Sequence, residues 1–443
     1  MKKLSLLLFA LLLLATACKK EKINDNSGGN SGGDDITIPL CFTAEEAGAT
    51  ITIWSYGEFD PIPNFQYSYD RNTWHEYVLN TTAVTLEKVG DKVYFRGDNP
   101  NGFCSQSSNY DQLDIIFGIS KKVAASGNIM SLIDPTCETK TIPCKGCFNY
   151  LFYNSMITTA PLLPATILDD YCYTYMFLNC KELKTAPELP AASLASYCYS
   201  SMFDGCSNLT STPILPATTL AEGCYKDMFN ECFGLTEAPE LPATTLAYGC
   251  YNEMFRGCYN ITTVKELPAT TLAPFCYEQM FQSTSITEAP DLPATELAEG
   301  CYANMFSDCS KLTKAPSLPA TTLDKNCYWG MFNLCGNLVD APDLPATTLA
   351  QGCYYAMFEN CRNLVNAPDL PATTLVPMCY DGMFAYCTNI NNIKVYFSNW
   401  NNGNSTDVWF YCASDNGTFR CPASLPQVIG PNNIPEGWTV ETF

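Results

Sequence analysis

The 443 residues carry 24 Lys and Arg against 45 Asp and Glu, a formal charge of −21. A surface this acidic repels phosphate backbones and anionic headgroups, which argues against nucleic acid as a partner. The length exceeds one compact core, and 47 % hydrophobic residues suffice for two or three domains, or for one domain and a repeat array.

In chain order, Lys2 and Lys3 open a basic segment, and Leu4 to Leu14 form an apolar run too short to span a bilayer. Ala15-Thr16-Ala17 place small residues immediately before Cys18. The pattern resembles a bacterial lipoprotein signal, with Ala15 where such signals usually carry Leu. It implies a signal peptide over 1–17 and a lipid on Cys18; an ordinary secretory signal that ends near a cysteine is the alternative. Residues 18–35, rich in Gly, Ser, Asn and charge, read as a flexible tether. No later stretch has the length and apolarity of a membrane span.

Over 36–135 short apolar or alternating runs stand between Gly, Asn and Asp clusters. Examples are Thr50-Ile51-Thr52-Ile53-Trp54, Phe65-Gln66-Tyr67-Ser68-Tyr69 and Lys92-Val93-Tyr94-Phe95-Arg96. This spacing predicts a small all-β sandwich-like domain with Trp74 in its core.

From 136 to 395 the sequence repeats ten times. LPATTLAEGCYKDMFNECFGLTEAPE from Leu215, LPATTLAYGCYNEMFRGCYNITTVKE from Leu241 and LPATTLAQGCYYAMFENCRNLVNAPD from Leu344 are three of the units. The period is 26, with two slips to 25 between Phe152 and Phe384. Repetition this strict means stacked supersecondary units that bury their apolar faces on one another. In Cys224-Tyr225-x-x-Met228-Phe229-x-x-Cys232 the apolar positions fall at i, i+1, i+4, i+5 and i+8, which predicts one face of a two-turn helix, with Thr218-Thr219 as its cap. The other half, Leu-Thr-x-Ala-Pro-x-Leu-Pro, holds two prolines and allows only a short strand. The expected fold is an α/β leucine-rich-repeat solenoid, one short strand plus one short helix per coil. Ten coils at about 4.8 Å give a sheet of roughly 50 Å. Residues 396–443 leave the repeat, and Trp400, Trp409 and Trp438 are expected to cover the last coil as a C-terminal cap.

The motif LPATTLAxGCYxxMFxxCxNLTxAPxLP resembles the BspA-like leucine-rich-repeat surface proteins of Bacteroides-type bacteria, over about 143 to 393. The resemblance implies a cell-surface solenoid used in adhesion, without catalytic residues.

Of 25 cysteines, eighteen belong to two repeat columns, one running from Cys147 to Cys379 and one from Cys180 to Cys387. Within a coil the two lie about 12 Å apart on a helix, beyond the roughly 7 Å limit for a bridge. Ser155 and Thr284 replace the second cysteine in two coils. Buried, reduced ladders fit this better than cross-coil bridges, which remain the alternative. Cys137, Cys144 and Cys147 have the look of zinc ligands but lack a fourth partner. Cys412 and Cys421 could pair in the cap. The only histidine is His75, so His-based triads and metal hydrolysis have little to work with, and no GxSxG, Walker or GxGxxG motif stands in a suitable context. No cofactor or metal site is expected, and no enzyme.

The residue inside Ala-Pro-x-Leu-Pro is acidic at Glu188, Glu240, Glu266, Asp291, Asp343 and Asp369. Stacked at coil spacing, these would form a stripe facing water, a cation or a basic partner. The tyrosine and phenylalanine columns are expected in the core. Together the features predict an outer-membrane, surface-exposed lipoprotein that binds a host or bacterial surface protein. The alternative is glycan capture by the β-domain, with Trp54 and Trp74 exposed in a row.

Overall fold

The computed structural model describes residues 36–56, 59, 61–104, 114–400 and 403–443. The signal, Cys18 and the tether lie outside them. The described chain from Ile36 onward is one compact unit.

The first eight strands are β1 (Leu40–Ala44), β2 (Ala49–Ser55), β3 (Phe65–Ser68), β4 (His75–Tyr77), β5 (Ala83–Leu86), β6 (Lys92–Gly97), β7 (Ile115–Ile119) and β8 (Val123–Ser126). One sheet runs β5-β2-β7. The other runs β4-β3-β6-β1-β8 and continues into β9 (Ile157–Thr159), a strand of the first repeat. The period-2 pattern drives this pairing. Ala49, Ile51 and Ile53 point inward from β2, and Val93 and Phe95 from β6. Phe42, Phe95 and Phe117 meet between the sheets at centroid distances of 5.4 to 5.8 Å. Trp74 is not in this core. It is half-buried beside β4, with the Arg96 guanidinium 4.0 Å from its ring centroid.

The β-domain and the repeats share one sheet and one core. All pairs in the six-stranded sheet are antiparallel except β8 with β9. Asn128 pins the junction. Its side-chain amide donates to the carbonyls of Ile36 and Cys137, and its Oδ1 accepts from the Met130 amide. Phe152 of the first repeat packs on Phe42 and Phe117, then stacks on Phe177.

The expected α/β solenoid with a helix in each coil does not form. Among the described residues the only helical element is a 3-10 turn, Ile129–Leu132, and the repeats are built of turns and short parallel β pairings. The half-coil read as helix is a run of tandem four-residue turns. Within 171–180, every second amide bonds three residues back, as in Met176 N to Tyr173 O and Cys180 N to Phe177 O. The amides between them bond sideways to the next coil, as in Tyr173 N to Cys198 O and Phe177 N to Met202 O. An α-helix bonds only within itself and has no sideways donors. Here both sets of donors are satisfied. Each four-residue step returns to positive φ, as at Tyr171 (58°), Tyr175 (57°) and Asn179 (59°).

The apolar pattern explains the misreading. Positions i, i+1, i+4, i+5 and i+8 repeat every 4.0 residues, which suits a helix face over two turns but fits a four-residue turn without drift. Thr218-Thr219 does not cap a helix: Thr219 forms bridges to Ser193 and Thr245 in the neighbouring coils. The proline-rich half gives single bridges in most coils, such as Thr185 with Ser211 and Glu237 with Thr263, because its prolines remove ladder donors.

Identical side chains stack from coil to coil. Phe177, Phe203, Phe229 and Phe255 are nearly parallel at 5.4 to 5.5 Å. Tyr173, Tyr199, Tyr225 and Tyr251 form a second ladder at 5.8 to 5.9 Å, and both ladders are buried.

The coil geometry continues past Val395. β10 (Asn366–Leu370), β11 (Asn392–Val395), β12 (Thr418–Cys421) and β13 (Thr439–Thr442) form one parallel sheet in sequence order. Phe384 packs on Phe410, and Trp409 takes the place that methionine holds in the preceding coils. Trp409 and Trp438 are buried and Trp400 half-buried. Their ring N–H groups donate to the carbonyls of Asn433, Ser414 and Pro426 respectively, so all three indole donors are satisfied where the core ends.

Candidate binding surfaces

The two cysteine columns are buried free thiols. In the second column each thiol approaches the phenylalanine carbonyl of the preceding coil: Cys180 Sγ to Phe152 O at 2.9 Å, Cys206 to Phe177 at 3.1 Å and Cys258 to Phe229 at 3.0 Å. Burial pushes the Cys258 thiol up to about 12, so it stays protonated and donates. Ser155 and Thr284 keep a hydroxyl in this column, 3.4 and 3.3 Å from the next coil's sulfur. The column therefore selects a small donor, and it holds no reactive thiolate.

Cys104 and Cys144 form a disulfide, with the Cys147 sulfur close by. Cys137 stands outside this group. Two of the three sulfurs are consumed by the bond, and burial lifts the Cys147 thiol to about 12, which makes a poor metal donor set. Cys412 and Cys421 are not bonded to each other. His75 is exposed and lies against Tyr67 at 5.3 Å.

Glu188, Glu240, Glu266, Asp291, Asp343 and Asp369 are all exposed. Ile214 and Ser317 interrupt the stripe at the same repeat position. Asp369 pairs with Lys394 at 3.6 Å, and the Asp291 carboxylate accepts from the Ser317 amide. Trp54 and Trp74 do not form a row: Trp54 is exposed on the three-stranded sheet, and Trp74 sits beside the other.

The face formed by the tandem turns is different in character and was missed from the sequence. It carries a trough of about 280 Å³ lined by Tyr197, Gly223, Lys226, Tyr248, Gly249, Asn252, Phe275 and Glu278. Gly223 and Gly249 occupy the positive-φ position before the first cysteine, where neighbouring coils have Tyr197 and Phe275. A Cβ at Gly223 would collide with the Tyr197 ring, whereas at Gly249 it would meet only the Asn252 Cβ, at an ordinary contact distance of 3.9 Å. Tyr248 is half exposed and stands edge-on to Phe275 at 5.7 Å. Tyr197 donates to the Glu222 carboxylate at 2.9 Å, and Asn252 to the Glu278 carboxylate at 2.9 Å.

Glu278 in the trough wall, Asp227 and Asp204 are half-buried acids that all feel the charge of Glu253. Burial raises Asp227 to about 7 and Asp204 to about 6, with the Glu253 charge adding to both. Glu278 is raised by burial and then by Glu253. A second trough on the same face, about 310 Å³, lies among Tyr355, Asp381, Gly382, Tyr386 and Tyr411. Burial lifts Asp381 to about 6 there. Rings, carboxylates and amides of this kind can stack and hydrogen-bond. The signal in the sequence was the loss of consensus at the residues before the first cysteine, where Tyr197, Tyr248 and Phe275 stand.

No family model, curated protein or solved structure matches the chain.

Proposed function

We propose that the chain is a surface-anchored binding protein that engages a macromolecule of a host or neighbouring cell through its solenoid. One observation carries the reading. The residues that repeat best are buried as scaffold, while the residues that differ between coils, Tyr248, Tyr259, Trp329 and Tyr386 among them, are exposed on a regular surface. The lipoprotein-like signal and the tether support display from a membrane through Cys18, on the outer face of the cell. The resemblance to BspA-like surface proteins supports adhesion.

Two measurements test this. Residues 36–443 should bind members of a panel of matrix proteins, bacterial surface proteins and glycans. Absence of any binding, together with a hydrolytic activity, would overturn the reading. Cys18→Ser should abolish incorporation of labelled fatty acid, and continued incorporation would remove the anchor from the proposal.

A further inference from the structure

We propose that the trough between Tyr197 and Phe275 binds a neutral sugar unit of a glycan. The inference rests on the reading of the solenoid as the binding element and names its ligand class. A pyranose ring offers a face of C–H groups and an edge of hydroxyls. The trough offers matching parts. The Tyr197 ring lies over the glycine floor, and Tyr248, edge-on to Phe275, supplies a second ring half open to solvent. Glu278 and Asn252, already bonded to each other, present an acceptor and an amide at the trough wall, and Lys226 adds a donor. The glycine at 249 is what leaves the floor unfilled.

Charge narrows the ligand. Glu278 is half-buried and burdened by Glu253 more than Lys226 relieves it, so a sialylated, sulfated or phosphorylated group would bring a third negative charge against a single cation in a poorly solvated place. An apolar peptide side chain would cover Glu278 without offering it a donor, which costs more than it gains. Neutral hydroxyls satisfy the carboxylate and add no charge.

The test uses the purified full-length chain on arrays of neutral, sialylated and sulfated oligosaccharides, followed by titration with the neutral oligosaccharides retained. Binding of at least one neutral class is expected, weakened about tenfold or more by Tyr248→Ala and similarly by Glu278→Gln. Tyr69→Ala removes an exposed ring of the β-domain, outside the trough, and should leave binding unchanged. Thermal melts establish that each variant is folded, and the polar change at Glu278 serves if Tyr248→Ala is not. Retention of acidic glycans alone, of no glycan, or of neutral glycans equally by both variants overturns the inference. Binding of proteins without glycans would overturn it too, yet leave the surface-binding reading standing.

Discussion

Raising the pH should unfold the repeats abruptly just above the range in which an ordinary thiol ionises. All eighteen column cysteines are pushed up by burial, those with moderate shifts to about 11 or 12, as at Cys180, Cys258 and Cys327, and others, such as Cys232, further. An unfolded thiol releases its proton near pH 8.5. Below that pH both states hold their protons and the stability is intact. Above it the unfolded chain loses protons that the folded chain retains, so stability falls as pH climbs toward the folded values. Each thiol contributes about 1.4 kcal/mol per pH unit, and eighteen acting together give a slope on the order of 20 kcal/mol per unit. Folding free energies of roughly 5 to 15 kcal/mol are exhausted by such a slope within about one unit. The buried tyrosines, also raised by burial, add to it at higher pH. Far-ultraviolet circular dichroism and thiolate absorbance, followed together under anaerobic conditions, should change in one step between about pH 9 and 10. Thiolate absorbance rising smoothly near pH 8.5 with the dichroism unchanged would refute the reasoning, and so would a native spectrum at pH 11.

Three further outcomes follow from packing. Cys258→Ser should cost less than about 1 kcal/mol in urea denaturation, since Ser155 and Thr284 already serve in that column, while Cys258→Ala should cost about 1 kcal/mol and Cys258→Leu about 2 or more. Phe255→Ala removes a fully buried ring stacked on Phe229 and Phe281 and should cost about 3–5 kcal/mol by the same measurement. Asp369→Asn breaks only an exposed ion pair with Lys394 and should move stability by less than about 0.5 kcal/mol, so any loss of partner binding in that variant would report recognition alone.

Much of the scaffold was legible in the sequence. The phenylalanine, tyrosine and cysteine columns announce a stacked core because a period of 26 can be satisfied only by like meeting like. The β-strands before residue 135 follow from two-residue alternation, as in β2 and β6. The helix was misread because Cys224, Tyr225, Met228, Phe229 and Cys232 match a helix face over so short a run. Two finer marks separate the cases. The spacing is four rather than 3.6, and Gly, Asn or Asp stands at about half of these fourth positions, as at Asn179, Gly205, Gly223 and Asp227, where the backbone is left-handed. Hydrophobicity alone puts Trp74 in the core, whereas its ring lies under Arg96 of β6, which β3 separates from β4, a contact that depends on sheet order. The trough was illegible for a related reason. Tyr197, Tyr248, Asn252 and Glu278 are spread over about 80 residues, and only the lateral stacking of coils brings them to one wall.

The sideways hydrogen bonds have a consequence for how such a chain can change length. Each turn amide that leaves its coil finds its acceptor 24 to 26 residues ahead, 25 in most coils, so every coil docks on its successor by the same rule. Removal of one whole unit, such as the 26 residues from Leu241, rejoins surfaces that were already complementary, and duplication of a unit does the same. Copy number is thus a coordinate along which the gene can drift by unequal exchange, altering reach by about 4.8 Å per unit while the β-domain at one end and the tryptophan closure at the other keep their own contacts.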